Sequence, residues 1–302
     1  MSNTAWLNGN LIDESDATVS IRDSGLLHAI GIFTTMRAAG GRVIQLAQHL
    51  RRLRESSDAL FVPLQFSDEE LKQAISILLE QNTLSEARLR ITVTRGMAHN
   101  DPLHGVRVEP TTFITAGEFE PYPAEYLEKG LTVAVVDDQK ANPYDLQAGH
   151  KTLNYFSRLA ALREANRRGA GEALWFNVHN FLQSGCISNV FIVRDQTLIT
   201  PPTNEDLRDA DIKTATPYPR SNVLPGTTRG AVFEIAADEG IAVRIGPITI
   251  NELLAAEEVF VTNSVMGVMP VCRIERKEVG NEKPGAITRR LMAGWDRIVL
   301  ED

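Results

Sequence analysis

Residues 149–191, GHKTLNYFSRLAALREANRRGAGEALWFNVHNFLQSGCISNVF, decide how the rest of the chain is read. Lys151 opens a segment with helical periodicity, in which Tyr155, Leu159 and Leu162 recur at i, i+4 and i+7. Arg158, Arg163 and Glu164 are available for the wet side of that helix. Gly169 and Gly171 predict its end, because glycine is the usual helix terminator. Two strand-like runs follow, EALWFN and CISNVFIV, joined through a turn at His179 and Asn180. Most lysines are solvated surface charges, so Lys151 gains interest only from the residues that accompany it.

Upstream, Trp6 to Ile12 reads as a hairpin around Asn8-Gly9-Asn10. Ile32 to Met36 and Val43 to Leu46 read as strands flanking a Gly40-Gly41 turn. Ala47 to Leu60 is an amphipathic helix. A second helix opens at Ser67, with acids in its first turn, and runs to about Gln81. Arg88 to Gly96 alternates cleanly, Leu89, Ile91 and Val93 on one face against Arg88, Arg90, Thr92 and Thr94 on the other. Thr111 to Gly117 is another strand. The proline- and glycine-bearing run from Glu118 to Gly130 is the best linker candidate.

Downstream come strands at Leu131 to Asp138 and in TLITPPTN, and a loop-then-helix at Ser221 to Gly240. A strand, a short helix and a strand follow, and an amphipathic helix closes the chain at Pro284 to Leu300. The organisation expected is α+β in two lobes: residues 1–119, a linker at 120–130, and residues 131–302.

The bulk properties narrow the function classes. A chain of 302 residues is long enough for one large domain or two smaller ones with a substantial core. A net charge of −8 argues against nucleic acid or an anionic membrane surface as the main partner. Cys186 and Cys272 make neither a disulfide framework nor a zinc knuckle. MSNTAWLNGNLIDE carries no basic region followed by an apolar run, and no stretch is apolar enough to span a bilayer. A cytoplasmic protein is expected.

Four clusters carry candidate chemistry. LPGTTRG (224–230) sets two hydroxyls at a turn before a helix, where backbone N–H groups can seat an anion; a plain N-cap is the simpler reading. Arg52 in HLRRL offers a fork of donors to a phosphate, or is a solvated helix arginine. Thr262-Asn263-Ser264 ends an apolar strand where loop residues contact ligands, or simply turns. Arg90 on its polar strand face is a carboxylate clamp or a surface charge. Nucleophile elbow, H-E-x-x-H, Walker and G-x-G-x-x-G motifs are absent from the sequence.

Taken together and in this order, LNG, GIFTTMR, HLRRL, HKTLNY, SGCISNVF, LPGTTR and VFVTNSVMGVMPV resemble the class IV aminotransferases, the fold-type IV pyridoxal-phosphate enzymes. The resemblance covers nearly the whole chain. It implies a two-lobed fold, with a small N-terminal α/β lobe and a larger β-barrel-like C-terminal lobe with helices. It implies pyridoxal 5'-phosphate as cofactor, an amino donor and an oxo-acid acceptor as substrates, and a homodimer. By the same resemblance Lys151 forms the Schiff base and moves the proton. Arg52, Thr227, Thr228 and Ser264 hold the phosphate, and Tyr155 bonds the cofactor's phenolic oxygen. Thr34 and Arg90 fall in the substrate region.

One position departs from the family pattern. Where the family has E-G-x-x-[SE]-N, its glutamate bonding the pyridine nitrogen, this chain has Ser184-Gly185-Cys186-Ile187-Ser188-Asn189. A carboxylate keeps that nitrogen protonated and the ring strongly electron-withdrawing. A serine can bond a neutral pyridine but supplies no charge, which suits elimination better than transamination. Thr34 in GIFTTMR and the NSVMGVMPV run resemble the aminodeoxychorismate lyases, whereas HKTLNY and LPGTTR resemble the aminotransferases. An aminotransferase-type activity is the expectation. A lyase releasing pyruvate and 4-aminobenzoate is the alternative, and a weakly active cofactor-binding protein is a third reading.

Overall fold

The computed structural model describes residues 3–99, 107–136 and 139–301. It divides into two compact units: residues 1–120 with 150–154 and 299–302, and residues 121–149 with 155–298. The expected α+β architecture is met, with a sheet in each unit.

The first unit contains β1 (Thr4–Leu7), β2 (Asn10–Asp13), α1 (Ser24–His28), β3 (Gly31–Ala39), β4 (Arg42–Val43), α2 (Leu46–Ala59), α3 (Asp68–Gln81), β5 (Ala87–His99) and β6 (Arg107–Glu118). Its strands pair antiparallel in the order β2-β1-β6-β5-β3-β4. The β1–β2 hairpin turns through Asn8 and Gly9, both at positive φ, as a two-residue loop between right-twisted strands requires. The alternation of β5 is realised: Leu89, Ile91 and Val93 are fully buried. They join Leu50 and Leu53 of α2 and Leu71, Ile75 and Leu78 of α3 in one core. Burying each such side chain stabilises the fold by about 1.5–3 kcal/mol. Helix α3 starts with a capping box, in which the Glu70 N–H donates to Ser67 Oγ at 3.2 Å and the Ser67 N–H to the Glu70 carboxylate at 2.7 Å.

Residues 150–154 belong to this unit, and here the helix expectation is corrected. Lys151 does not open a helix. The Phe33 N–H donates to the Lys151 carbonyl at 2.9 Å, and the Leu153 N–H to the Gly31 carbonyl at 2.9 Å. Thr152 bridges Ile32 in antiparallel sense. The backbone of 151–153 is therefore committed to the first residues of β3 and is unavailable to a helical ladder. Gly31 permits the approach, since a β-carbon there would meet Leu153 Cδ1 at 2.6 Å and the Val93 carbonyl at 2.8 Å.

The second unit contains α4 (Ala124–Lys129), β7 (Leu131–Val135), α5 (Phe156–Arg167), β8 (Glu172–Phe176), β9 (Leu182–Gly185), β10 (Asn189–Arg194) and β11 (Thr197–Thr200). It continues with α6 (Ala210–Ala215), α7 (Thr227–Asp238), β12 (Ala242–Ile245), α8 (Ile250–Leu254), β13 (Glu258–Asn263), β14 (Gly267–Ile274), β15 (Lys277–Glu278) and α9 (Ala286–Glu301). The sheet order is β12-β11-β10-β13-β14-β7-β8-β9, with β15 on β14. The run expected as a linker contains α4, a single exposed turn with a Glu125–Lys129 pair at 2.8 Å. Of the expected stripe on α5, Leu159 is exposed, Tyr155 is half-buried and Leu162 packs beside Ala161 against a core, while Ala165 is the residue the helix fully buries.

CISNVFIV is not one strand, which corrects a second expectation. β9 ends at Gly185, residues 186–188 turn, and β10 begins at Asn189. The turn wraps around a buried acid. The carboxylate of Glu172 accepts the N–H groups of Cys186 at 2.9 Å and Ile187 at 3.2 Å and the Ser188 hydroxyl at 2.7 Å. Among the described residues, no helix is long and apolar enough to cross a membrane.

Candidate active site

The residues expected to carry chemistry fall into two sets, one in each unit. In the first, Lys151 is fixed by its backbone pairing to β3, and its Nζ lies 4.6 Å from the centroid of the Phe33 ring. The Arg90 guanidinium covers the same ring at 3.6 Å, and Arg90 Nε donates to Thr92 Oγ1 at 3.0 Å. Two cations thus share one aromatic ring, whose negative face attracts both.

On the α2-facing side of β3, Thr34 has no exposed surface. Its hydroxyl accepts from Arg52 Nη2 at 3.1 Å and lies 2.7 Å from His49 Nδ1. Thr34 was expected at the substrate; its hydroxyl is instead held between two side chains of α2. Burial, and then the charges of Arg52 and Lys151, hold His49 well below its ordinary pKa. A neutral His49 shares a hydrogen bond with the Thr34 hydroxyl through Nδ1, while the Thr34 oxygen accepts from Arg52. Sequence reading missed His49, although it precedes Arg52 by one helical turn on the same face.

In the second unit, α7 begins directly at Thr227, with Gly226 as its cap and no side-chain capping bond. The Thr227 hydroxyl lies 3.2 Å from Ser264 Oγ, which joins two of the expected phosphate ligands. Thr228 Oγ1 is buried and, among the described residues, has no hydrogen-bond partner. The Ser264 turn is built by Asn263, whose Oδ1 accepts the N–H groups of Val265 at 2.9 Å and Met266 at 2.8 Å. The α7 terminus is seated by Asn189, whose amide donates to the Leu224 carbonyl at 2.9 Å.

Ser184 is buried on β9. Its neighbour Gln183 faces away, its Oε1 accepting from Ser221 Oγ at 3.3 Å and from the Asn222 N–H at 3.1 Å. Ser184 Oγ accepts from Arg158 Nη1 at 3.3 Å, and the same nitrogen donates to the carbonyls of Gly185 at 2.9 Å and Cys186 at 3.1 Å. Arg158, expected on the wet side of α5, is half-buried over this turn. Tyr155 occupies the N-cap position of α5, its carbonyl accepting the Leu159 N–H at 3.0 Å.

These residues suit a phosphorylated aldehyde. A helix N-terminus capped only by glycine, with an unpartnered buried hydroxyl in its first turn, calls for an anion.

Comparison with known proteins identifies the family. Residues 31–274 match the family model for amino-transferase class IV. A Methanocaldococcus jannaschii protein, named provisionally as a branched-chain-amino-acid aminotransferase, is 32% identical over 95% of this chain and 93% of its own length. The D-alanine aminotransferase of Staphylococcus haemolyticus is 28% identical over 97% of both chains. Among solved structures, the Escherichia coli branched-chain amino acid aminotransferase superposes with a TM-score of 0.85 at 27% identity, covering 97% of this chain and 93% of that one. The 4-amino-4-deoxychorismate lyase of Pseudomonas aeruginosa superposes with a TM-score of 0.79 at 26% identity, covering 98% of both. The chain belongs to the class IV aminotransferases and is an enzyme of that pyridoxal 5'-phosphate-dependent family.

Proposed function

We propose that this enzyme moves the amino group of an amino acid to a 2-oxo acid, with Lys151 as its catalytic residue. The observation that carries this reading is the backbone pairing of Lys151 with β3, which holds an amine beside the Phe33 ring next to a second cation, Arg90. Pyridoxal phosphate, when bound, supplies the carbonyl that takes up the amine and the ring that stabilises negative charge at the substrate Cα.

Each residue then has a stated task. Lys151 anchors the cofactor carbonyl carbon between turnovers and carries the proton away from Cα. Arg52 gives its fork of donors to the phosphate, held in aim by Thr34 and His49. Thr34 thus acts through Arg52 rather than on the substrate. Thr227, Thr228 and Ser264 contribute hydroxyls, and the first amides of α7 contribute donors, to that phosphate. Tyr155 donates to the phenolic oxygen, and Ser184 meets the ring nitrogen. Arg90 receives the substrate carboxylate, and Phe33 supplies an apolar wall.

The enzyme acts as a homodimer. Supporting this, the first unit exposes Ile21, Leu26 and Leu27, and the second exposes Leu146, Phe156 and Leu159, large apolar side chains suited to burial against a second copy. A cytoplasmic setting suits two buried, unpaired cysteines.

One observation favours a second reading. Ser184 supplies no charge to the ring nitrogen, which fits elimination, as in a lyase that releases pyruvate from aminodeoxychorismate. The deciding experiment mixes cofactor-loaded protein with L- and D-amino acids and follows the visible absorption. Conversion to pyridoxamine phosphate supports transamination and identifies the donor hand. Persistence of the lysine-linked band, with pyruvate released from aminodeoxychorismate, replaces this reading by the lyase. Normal turnover by Lys151→Ala sinks both.

A further inference from the structure

Around Ser184 the second unit contains a charge arrangement that the proposed activity does not require. The hydroxyl has one proton and two acceptor sites. One acceptor site is taken by Arg158 Nη1 at 3.3 Å. That nitrogen is itself fixed by the carbonyls of Gly185 at 2.9 Å and Cys186 at 3.1 Å, so the guanidinium is locked over the turn. The Arg158 guanidinium carbon also lies 5.8 Å from the Trp175 ring, which limits its swing. The buried acid that this turn wraps, Glu172, is spent elsewhere: its carboxylate accepts from Ala173, Cys186, Ile187 and Ser188. The charged group that bonds Ser184 is therefore a cation.

We propose that Arg158 is a positioning residue that fixes the Ser184 hydroxyl as a donor and keeps the ring nitrogen of bound pyridoxal phosphate unprotonated. The argument rests on the assignment of Ser184 to that nitrogen. With one acceptor site occupied by the guanidinium, the hydroxyl keeps its proton available to donate, and an unprotonated pyridine nitrogen is the matching acceptor. A pyridinium would meet an oxygen already engaged and a fixed positive charge just behind it, and a like charge disfavours the protonated form. Arg158 and Ser184 act as a unit: the serine supplies the bond and the arginine sets its direction.

The test uses the full-length protein reconstituted with ring-15N-labelled pyridoxal phosphate, with uptake checked by borohydride trapping and the mass at Lys151. The 15N chemical shift reads the nitrogen's protonation directly, apart from turnover. In the wild-type protein it should stay in the unprotonated range from neutral pH down to about pH 5, where an ordinary pyridine begins to protonate. In Arg158→Met the nitrogen should titrate, with its pKa raised by about one unit or more as the like charge is removed. Ser184→Glu combined with Arg158→Asn should give a protonated nitrogen throughout. A wild-type nitrogen that is protonated at neutral pH overturns this proposal while leaving the aminotransferase reading intact. So does an Arg158→Met titration that overlays the wild type. A protein that takes up no cofactor at Lys151 overturns both.

Discussion

Asn189 and Gly226 are fitted to one another so closely that the amide oxygen of Asn189 lies 2.1 Å from where a β-carbon on residue 226 would stand. Gly226 has an ordinary φ of −69°, so the glycine is required by the neighbour rather than by backbone conformation. Through the Asn189 amide bond to Leu224, this contact sets where α7 begins.

Gly226→Ala should therefore act on the anion seat. The added methyl pushes Asn189 off the Leu224 carbonyl and displaces the first turn of α7, at a cost of about 1–3 kcal/mol typical of overpacking. Thermal unfolding with and without pyridoxal phosphate measures it. The cofactor-induced rise in Tm should shrink in the variant, because the phosphate donors have moved. An unchanged rise would mean that α7 is positioned independently of Asn189.

The Thr34, His49 and Arg52 network gives a pH-dependent prediction. Burial, and then Arg52 and Lys151, depress the His49 pKa, so the folded chain keeps this ring neutral. In the unfolded chain it protonates near pH 6.5. Below that pH the unfolded state binds the extra proton, so the His49 contribution to stability is full above about pH 6.5 and declines as pH falls, by about 1.4 kcal/mol per unit. His49→Gln should flatten the acid limb of the stability profile between about pH 6.5 and 5. An acid limb identical to the wild type would clear His49 of the effect. In the same network, Thr34→Val should weaken cofactor affinity about tenfold, the cost of removing one acceptor that aims Arg52. Fluorescence titration with pyridoxal phosphate reads it.

Glu172 is the organiser of the turn at 186–188. Glu172→Gln keeps the shape but places an NH2 among donors, so at least one of the backbone N–H groups of Cys186 and Ile187 or the Ser188 hydroxyl loses its acceptor. A loss of about 2–4 kcal/mol is expected for a buried acceptor serving several donors. Urea denaturation measures it, and a loss below about 1 kcal/mol would mean the turn holds without the acid.

What could be read from the sequence was mostly local chemistry. The apolar alternation of β5, the helix start at Ser67 and the Asn8-Gly9 hairpin each depend on neighbours a few residues away, and each forms as expected. Lys151 and Arg52 stood out through the order of motifs. The start of α5 was misread because residues 151–153 pair with residues far upstream on β3, and a helical period gives no sign of that. Glu172 was read only as the first residue of the EALWFN strand, since nothing local reveals that a turn more than ten residues later folds onto it. Arg158 fell on the wet side of a helical wheel whose apolar side proved to be partly exposed within the chain. His49 was accessible, one turn before Arg52, had the helix been read for polar as well as apolar spacing.

Arg90 tests the substrate end of the site. Its guanidinium carbon lies 3.6 Å from the centroid of the Phe33 ring while Nε donates to Thr92. Lysine keeps the charge but neither stacks as a plane nor binds a carboxylate through two parallel bonds. Arg90→Lys should therefore raise KM for amino acids about tenfold, the loss of one charge-assisted bond, with kcat changed much less. Amines that lack a carboxylate provide the control, since Arg90 has nothing to receive from them. If KM rises equally for amines and amino acids, Arg90 shapes the Phe33 wall rather than clamping the carboxylate. If it rises only for amino acids, the two cations on one ring have separate tasks: Lys151 for the amine, Arg90 for the acid.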